Sequence, residues 1–178
     1  MTHVEFLMRE FAGHTRLLMM KEPSLYEVVL DHGRTMEVGK LTFGEARQIV
    51  ELARWSGFRK VNDFQTKQCY MNAQKLINHH DAMGGGDELQ YCEGYIAWDG
   101  APLPIGHAWV TINGKVVDVT LRAKSKTTPH SYFGVAIAPR LLAKHQLRTG
   151  YYGPVIEGPF QLRVFPKAPR LRRARVAT

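Results

Sequence analysis

The sequence predicts an α+β domain organised around an antiparallel hairpin. Two observations give the class: Asn113-Gly114 stands between two β-branched runs, and helix-spaced apolar stripes occur in Thr42–Ala53 and Lys67–His80. A third observation points to chemistry. Cys69 in KQCYMNA opens the second helix, while His107 in PIGHAW and Asp118 in KVVDVT sit on the two arms of the hairpin.

Taken in order, Leu25-Tyr-Glu-Val-Val-Leu30 reads as a short strand. Thr42-Phe-Gly-Glu45 fits a capping box, followed by a stripe of Ala46, Ile49, Val50 and Ala53 that stops before Gly57. The next helix runs from about Lys67 to His80 with Ala73, Leu76, Ile77 and His80 on one face. Thr66 as its N-cap places Cys69 in the first turn, where open N–H groups and the macrodipole favour a thiolate. Gly84-Gly-Gly86 is a flexible connection that could flank a cleft. It lacks the context and the lysine of a phosphate loop. Tyr91–Trp98 reads as a strand with Tyr91, Glu93 and Tyr95 on one face and Cys92, Gly94 and Ile96 on the other. Tyr132–Ala138 reads as a further strand, and Pro139 to about His145 as a short helix.

The hairpin carries the sharpest geometry. A two-residue type I′ turn at Asn113-Gly114 pairs Ile112 with Lys115, Trp109 with Asp118 and His107 with Thr120. His107, Trp109, Asp118 and Thr120 then share one face, and Ala108, Val110 and Ile112 back onto Val117, Val119 and Leu121. His107 and Asp118 become diagonal neighbours about 7–8 Å apart at the backbone, close enough for imidazole and carboxylate to lean together. A slip of one residue would separate them.

Such a set divides labour as a thiol acyl-transfer site does. Cys69 attacks an acyl carbon, His107 holds the thiolate and protonates the leaving group, and Asp118 fixes the ring. The backbone N–H of Cys69 is one oxyanion donor, with Gln65 or Gln68 as side-chain candidates. Taken singly, each residue also has a plainer reading, as a solvated pair or a small buried thiol.

The run CYMNA, YCEGY, HAW, VVDVT and YFGVAI, from Cys69 to about Ile137, resembles papain-like cysteine hydrolases. That broad group includes transglutaminase-like and NlpC/P60-like proteins. The closest resemblance is to small phage- and bacterium-encoded members with no assigned substrate. It implies a papain-like fold in which the helix of the catalytic cysteine packs on a small antiparallel sheet bearing His107 and Asp118. It also suggests that Glu93 lines the cleft or buttresses the helix. Trp109 is a candidate shield for the ion pair, and Asn72, one turn beyond Cys69, a tie between helix and sheet. The chain departs from the resemblance at VDVT, where such proteins often read VDPT.

Composition bounds the rest. With 178 residues, 44% of them hydrophobic, one domain over about 1–166 is expected, with an N-terminal elaboration to about residue 60 and a catalytic core over 61–140. Two cysteines form no disulfide framework, and Cys92 reads as a packed thiol. Zinc spacings of the C-x₂₋₄-C and H-x₃₋₅-H kind are missing, so neither metal nor cofactor is expected. Met1–Glu10 lacks a signal-peptide core, and no apolar run approaches ~18 residues. The expectation is a cytoplasmic protein of a bacterium or infected host cell, without membrane contact.

The net charge of +8 favours acidic partners. Much of it lies in a basic, flexible-looking tail over 167–178, where Lys167, Arg170, Arg172, Arg173 and Arg175 are candidates for phosphate contact without base reading. Two function classes follow. One is a cysteine-dependent acyl-transfer enzyme acting on a protein, peptide or other amide or ester, as peptidase, amidase, deamidase or transglutaminase-like transferase. The other is a catalytically silent protein on the same scaffold, contacting nucleic acid or a host protein through its basic surface.

Overall fold

The computed structural model describes residues 1–17, 23–59, 63–64, 68–124, 129 and 131–156. Thr66, Gln65 and the whole basic tail with Lys167, Arg170, Arg172, Arg173 and Arg175 lie outside the described residues.

The chain opens with helix α1, His3–Leu17. Val4, Leu7, Met8 and Ala12 recur at helical spacing and are buried, with charged residues between them. Helix α2 follows at Leu25–His32, where the sequence pattern predicts a strand. A complete capping box explains the difference: the Glu27 N–H donates to Ser24 Oγ, and the Ser24 N–H donates to the Glu27 carboxylate. These local bonds, with Val28 and Val29 turned into the core, outweigh the β-preference of the Val-Val-Leu run. Strand β1, Arg34–Met36, leads to helix α3, Phe43–Trp55.

Helix α3 has the expected capping box, with Thr42 and Glu45 bonded in both directions. Its buried face is Ile49, Leu52 and Ala53, and Val50 is exposed, so the stripe sits slightly around the helix from the one the sequence suggests. Glu45 also reaches the hairpin turn: Asn113 Nδ2 donates to its Oε1 at 3.0 Å, and Lys115 Nζ lies 3.0 Å from Oε2. The Asn113 bond, then the Thr42 N–H and the Lys115 ammonium, hold this carboxyl at a pKa of about 2. The register of the hairpin is thereby pinned to α3.

Helix α4, Cys69–Ala82, buries Ala73, Leu76, Ile77 and His80 as the periodicity predicts. It starts at Cys69 rather than Lys67. Strands β2 (Leu89–Ala97), β3 (Ile105–Ile112) and β4 (Lys115–Val117) precede the short helix α5, Val119–Lys124. Strand β5, Ser131–Ile137, and helix α6, Pro139–Thr149, complete the elements, α6 running a turn past the expected end at His145. Gly84–Gly86 caps the end of α4 opposite Cys69, about 20 Å along a helix of this length, so it flanks no cleft at the cysteine.

The five strands form one antiparallel sheet in the order β1-β5-β2-β3-β4, curled into a half-barrel. The curl brings its edges back together: the Val116 N–H donates to the Glu37 carbonyl at 2.8 Å, next to β1. The β3–β4 turn has Asn113 at φ 49° and Gly114 at φ 79°, both in the left-handed region a type I′ turn requires. Ile112 pairs with Lys115, Thr111 with Val116 and Val110 with Val117, as predicted.

There the strand stops. Asp118 and Thr120 leave the ladder and begin α5, so the expected pairs Trp109–Asp118 and His107–Thr120 do not form, and Leu121 does not line the Val110 face.

The two faces of the sheet carry two cores. Helices α1 to α4 and α6 cover one, with Tyr91, Tyr95, Ala108, Val110, Ile112 and Val117 beneath them. The concave face encloses Met36, Cys92, Ile96, Trp109, Val116 and Tyr132. Gly134 makes room there, since a Cβ on it would stand 2.7 Å from the Trp109 ring. Among the described residues, no helix is long and apolar enough to cross a membrane.

Candidate active site

Cys69 is the first residue of α4 and is 8% exposed. Gln68 occupies the N-cap position and makes no side-chain hydrogen bond to the start of the helix. Glutamine is a poor N-cap beside serine or aspartate, and the first N–H groups of a helix have no intrahelical acceptor. The Cys69 N–H therefore fits the oxyanion role. Gln68 is exposed, and Gln65 lies outside the described residues.

His107, buried on β3, joins the other two predicted residues. Its Nε2 lies 2.7 Å from Asp118 Oδ2. A carboxylate only accepts, so Nε2 carries the proton, and Nδ1 is the nitrogen left to face Cys69, which lies close enough to raise the ring's pKa. Burial alone would lower the ring's pKa. The Asp118 hydrogen bond, the nearby Cys69 and the charge of both partners override it and push His107 up to about 9. A ring held that high is an imidazolium across neutral pH.

Asp118 reaches the histidine by a route other than strand pairing. It stands at the start of α5, where Oδ1 accepts the N–H groups of Thr120 and Leu121 at 3.0 Å each. Oδ2 takes His107 and, at 3.0 Å, the hydroxyl of Tyr132 from β5. Burial opposes its charge, but the His107 bond and charge, the Leu121 N–H and the Tyr132 hydroxyl keep its carboxyl below the usual range. The sequence VDVT thus builds an aspartate cap at the start of α5.

Of the remaining candidates, Asn72 and Trp109 support the site from behind, and Glu93 does not line it. Asn72, fully buried, donates from Nδ2 to Thr120 Oγ1 at 3.0 Å and so ties the cysteine helix to the aspartate's cap. Trp109 is also fully buried and stacks on His107, ring centres 6.3 Å apart at 19°. It shields the ring from within the curl rather than lining an open cleft. Glu93, 1% exposed, faces the other core. Its carboxylate accepts the Tyr91 hydroxyl at 2.6 Å and the N–H groups of Val155 and Ile156 at 2.7–3.0 Å. Gln74 of α4 donates to the Gly153 carbonyl beside it. Glu93 clamps the segment after α6 onto the sheet.

Cys92 sits in the concave core as a free thiol, 0% exposed, and burial pushes it up to about 12. Among the described residues no cluster of three His, Cys, Asp or Glu is placed to hold a metal ion. Sequence reasoning missed Tyr132. Its only local signal is a strand tyrosine opposite Ile96, and the contact with Asp118 appears once the sheet curls. The chain matches no family model, no curated protein and no solved structure.

Proposed function

We propose that this protein is a cysteine-dependent acyl-transfer enzyme, most simply a peptidase or amidase, with Cys69, His107 and Asp118 as its triad. The observation that carries the reading is His107 bonded to a buried, fully engaged Asp118, with Cys69 close enough to raise the ring's pKa. A merely solvated His–Asp pair would need neither the burial of both groups nor the thiol.

In this reading the Cys69 thiolate attacks the acyl carbon while its N–H steadies the oxyanion. His107 gives its Nδ1 proton to the leaving group, and the acyl-enzyme forms as the amide or ester bond breaks. The neutral ring then takes a proton from water, or from an amine in a transferase, and the second attack frees Cys69. Asp118 keeps Nε2 protonated throughout and fixes which nitrogen faces the thiol. The resemblance to papain-like proteins at CYMNA, HAW and VVDVT agrees with these roles and with deamidase or transglutaminase-like variants of the same chemistry.

Cys69→Ala is the direct test. The substitution removes one small, mostly buried thiol at a helix start and should cost on the order of 1 kcal/mol of stability. Turnover of p-nitrophenyl esters, peptides and glutamine amides should vanish in that folded variant. Turnover retained by Cys69→Ala would remove the nucleophile. The competing reading, a silent binding protein, gains if the wild type shows neither turnover nor an unusually reactive Cys69.

A further inference from the structure

Tyr132 is 1% exposed at the start of β5, with its backbone paired to Met36 on one side and Ile96 on the other. Its ring stands edge-on against Trp109, centres 5.2 Å apart at 72°, and Trp109 in turn stacks on His107. Its hydroxyl reaches across the concave face to Asp118 Oδ2, the oxygen that accepts His107 Nε2. Two backbone N–H groups fix Oδ1. A carboxylate held only at Oδ1 can still swing Oδ2 about that anchor. A second donor on Oδ2, from a strand far from both α5 and β3 in sequence, removes that freedom.

We propose that Tyr132 is a positioning residue of this site: its hydroxyl fixes Asp118 Oδ2 so that His107 meets the carboxylate through Nε2 and presents Nδ1 to Cys69. Tyr132 acts through Asp118, to which its hydroxyl is bonded. The phenol is neutral and donates to an anion, so it stabilises the charged carboxylate without neutralising it. The catalytic consequence rests on the acyl-transfer reading; the hold on Asp118 does not.

Tyr132→Phe in the full chain removes one oxygen and keeps the ring against Trp109. Two readouts follow. Carbon-13 NMR of the Asp118 carboxyl should show its protonation midpoint rising by about one pH unit, a tenfold change in the equilibrium. Alkylation of Cys69 by iodoacetamide at about pH 5.5 should slow about fivefold to tenfold, with Cys92 unchanged, a split that general loosening of the core would not give. The wild type supplies a reading that needs no variant: on acidification the Tyr132 Cζ resonance should move at the same midpoint as the Asp118 carboxyl. A Tyr132 resonance that ignores that midpoint overturns the proposal. So does Tyr132→Phe with both readouts unchanged while wild-type Cys69 remains selectively reactive; the acyl-transfer reading then stands alone. If wild-type Cys69 behaves as an ordinary thiol, the acyl-transfer reading falls and takes the positioning role with it.

Discussion

His107→Ala should slow Cys69 alkylation at about pH 5.5 by roughly 100-fold or more and abolish turnover. An ordinary thiol with pKa ~8.5 is about 0.1% ionised there, so a thiolate deprived of its imidazolium loses nearly all its reactive form. The effect has a definite pH window. His107 is raised from 6.5 to about 9, so the ion-pair contribution is complete below the unfolded value and is lost as pH rises through about 9. The variant and the wild type should therefore converge above that pH, where the wild-type ring is also neutral. Stability follows the same sign: the raised histidine favours the folded state below neutral pH, and that advantage fades on the alkaline side. Parallel rate–pH curves for the two proteins, a constant factor apart at all pH values, would mean that the ring acts on Cys69 sterically and not as a counter-ion.

Glu93→Ala should have the largest effect on the fold. The change leaves the buried N–H groups of Val155 and Ile156 and the Tyr91 hydroxyl without the carboxylate that accepts them. Hydrogen bonds to a charged group contribute about 1.5–3 kcal/mol each, and orphaned buried donors add their own cost. A loss of roughly 3–5 kcal/mol is expected, corresponding to a fall in Tm of about 6–20 °C for a chain of this size. Urea unfolding of wild type and variant checks it. A change below about 1 kcal/mol would mean that the segment after α6 is not anchored through Glu93. Glu93→Gln should fall between the two, because an amide oxygen still accepts while its NH₂ confronts donors.

How much of this was legible depends on how local the physics is. The hairpin register could be read from Asn113-Gly114 because the turn type alone sets it, and the stripe of α4 because burial repeats every 3.6 residues. The nearness of His107 and Asp118 was also legible, but by the wrong construction. The Val-Val-Asp-Val alternation reads as continuing strand, whereas Asp118 takes the competing option open to a short acidic side chain and caps α5 through two backbone N–H groups. The pair survives because the carboxylate remains beside β3 either way. Helix α2 shows the opposite balance: the strand reading of Leu25–Leu30 rests on the apolar run alone and leaves out the Ser24–Glu27 capping box that decides for helix.

Tyr132 and the Glu93 clamp were not legible, because each needs segments brought together by the curl of the sheet or by the chain's return after α6. Asn72 was read as a tie from the cysteine helix to the sheet, and its partner Thr120 stands on α5 beside the sheet. Gly134, where Trp109 crosses close to the backbone, is equally silent in sequence.

The central claim is that Cys69 is an ion-paired nucleophile, and the pH dependence of its alkylation tests this most directly. Selectivity over Cys92 is not sufficient, because Cys92 is fully buried and would react slowly in any case. The shape of the curve decides. With iodoacetamide and mass-spectrometric readout of each cysteine, an ordinary thiol loses about tenfold in rate per pH unit below its pKa of ~8.5. Cys69 should instead hold a near-constant rate from about pH 8 down to about pH 6, while Cys92 stays almost unlabelled. A Cys69 rate that falls tenfold per unit across that range would contradict the ion pair and with it the enzyme.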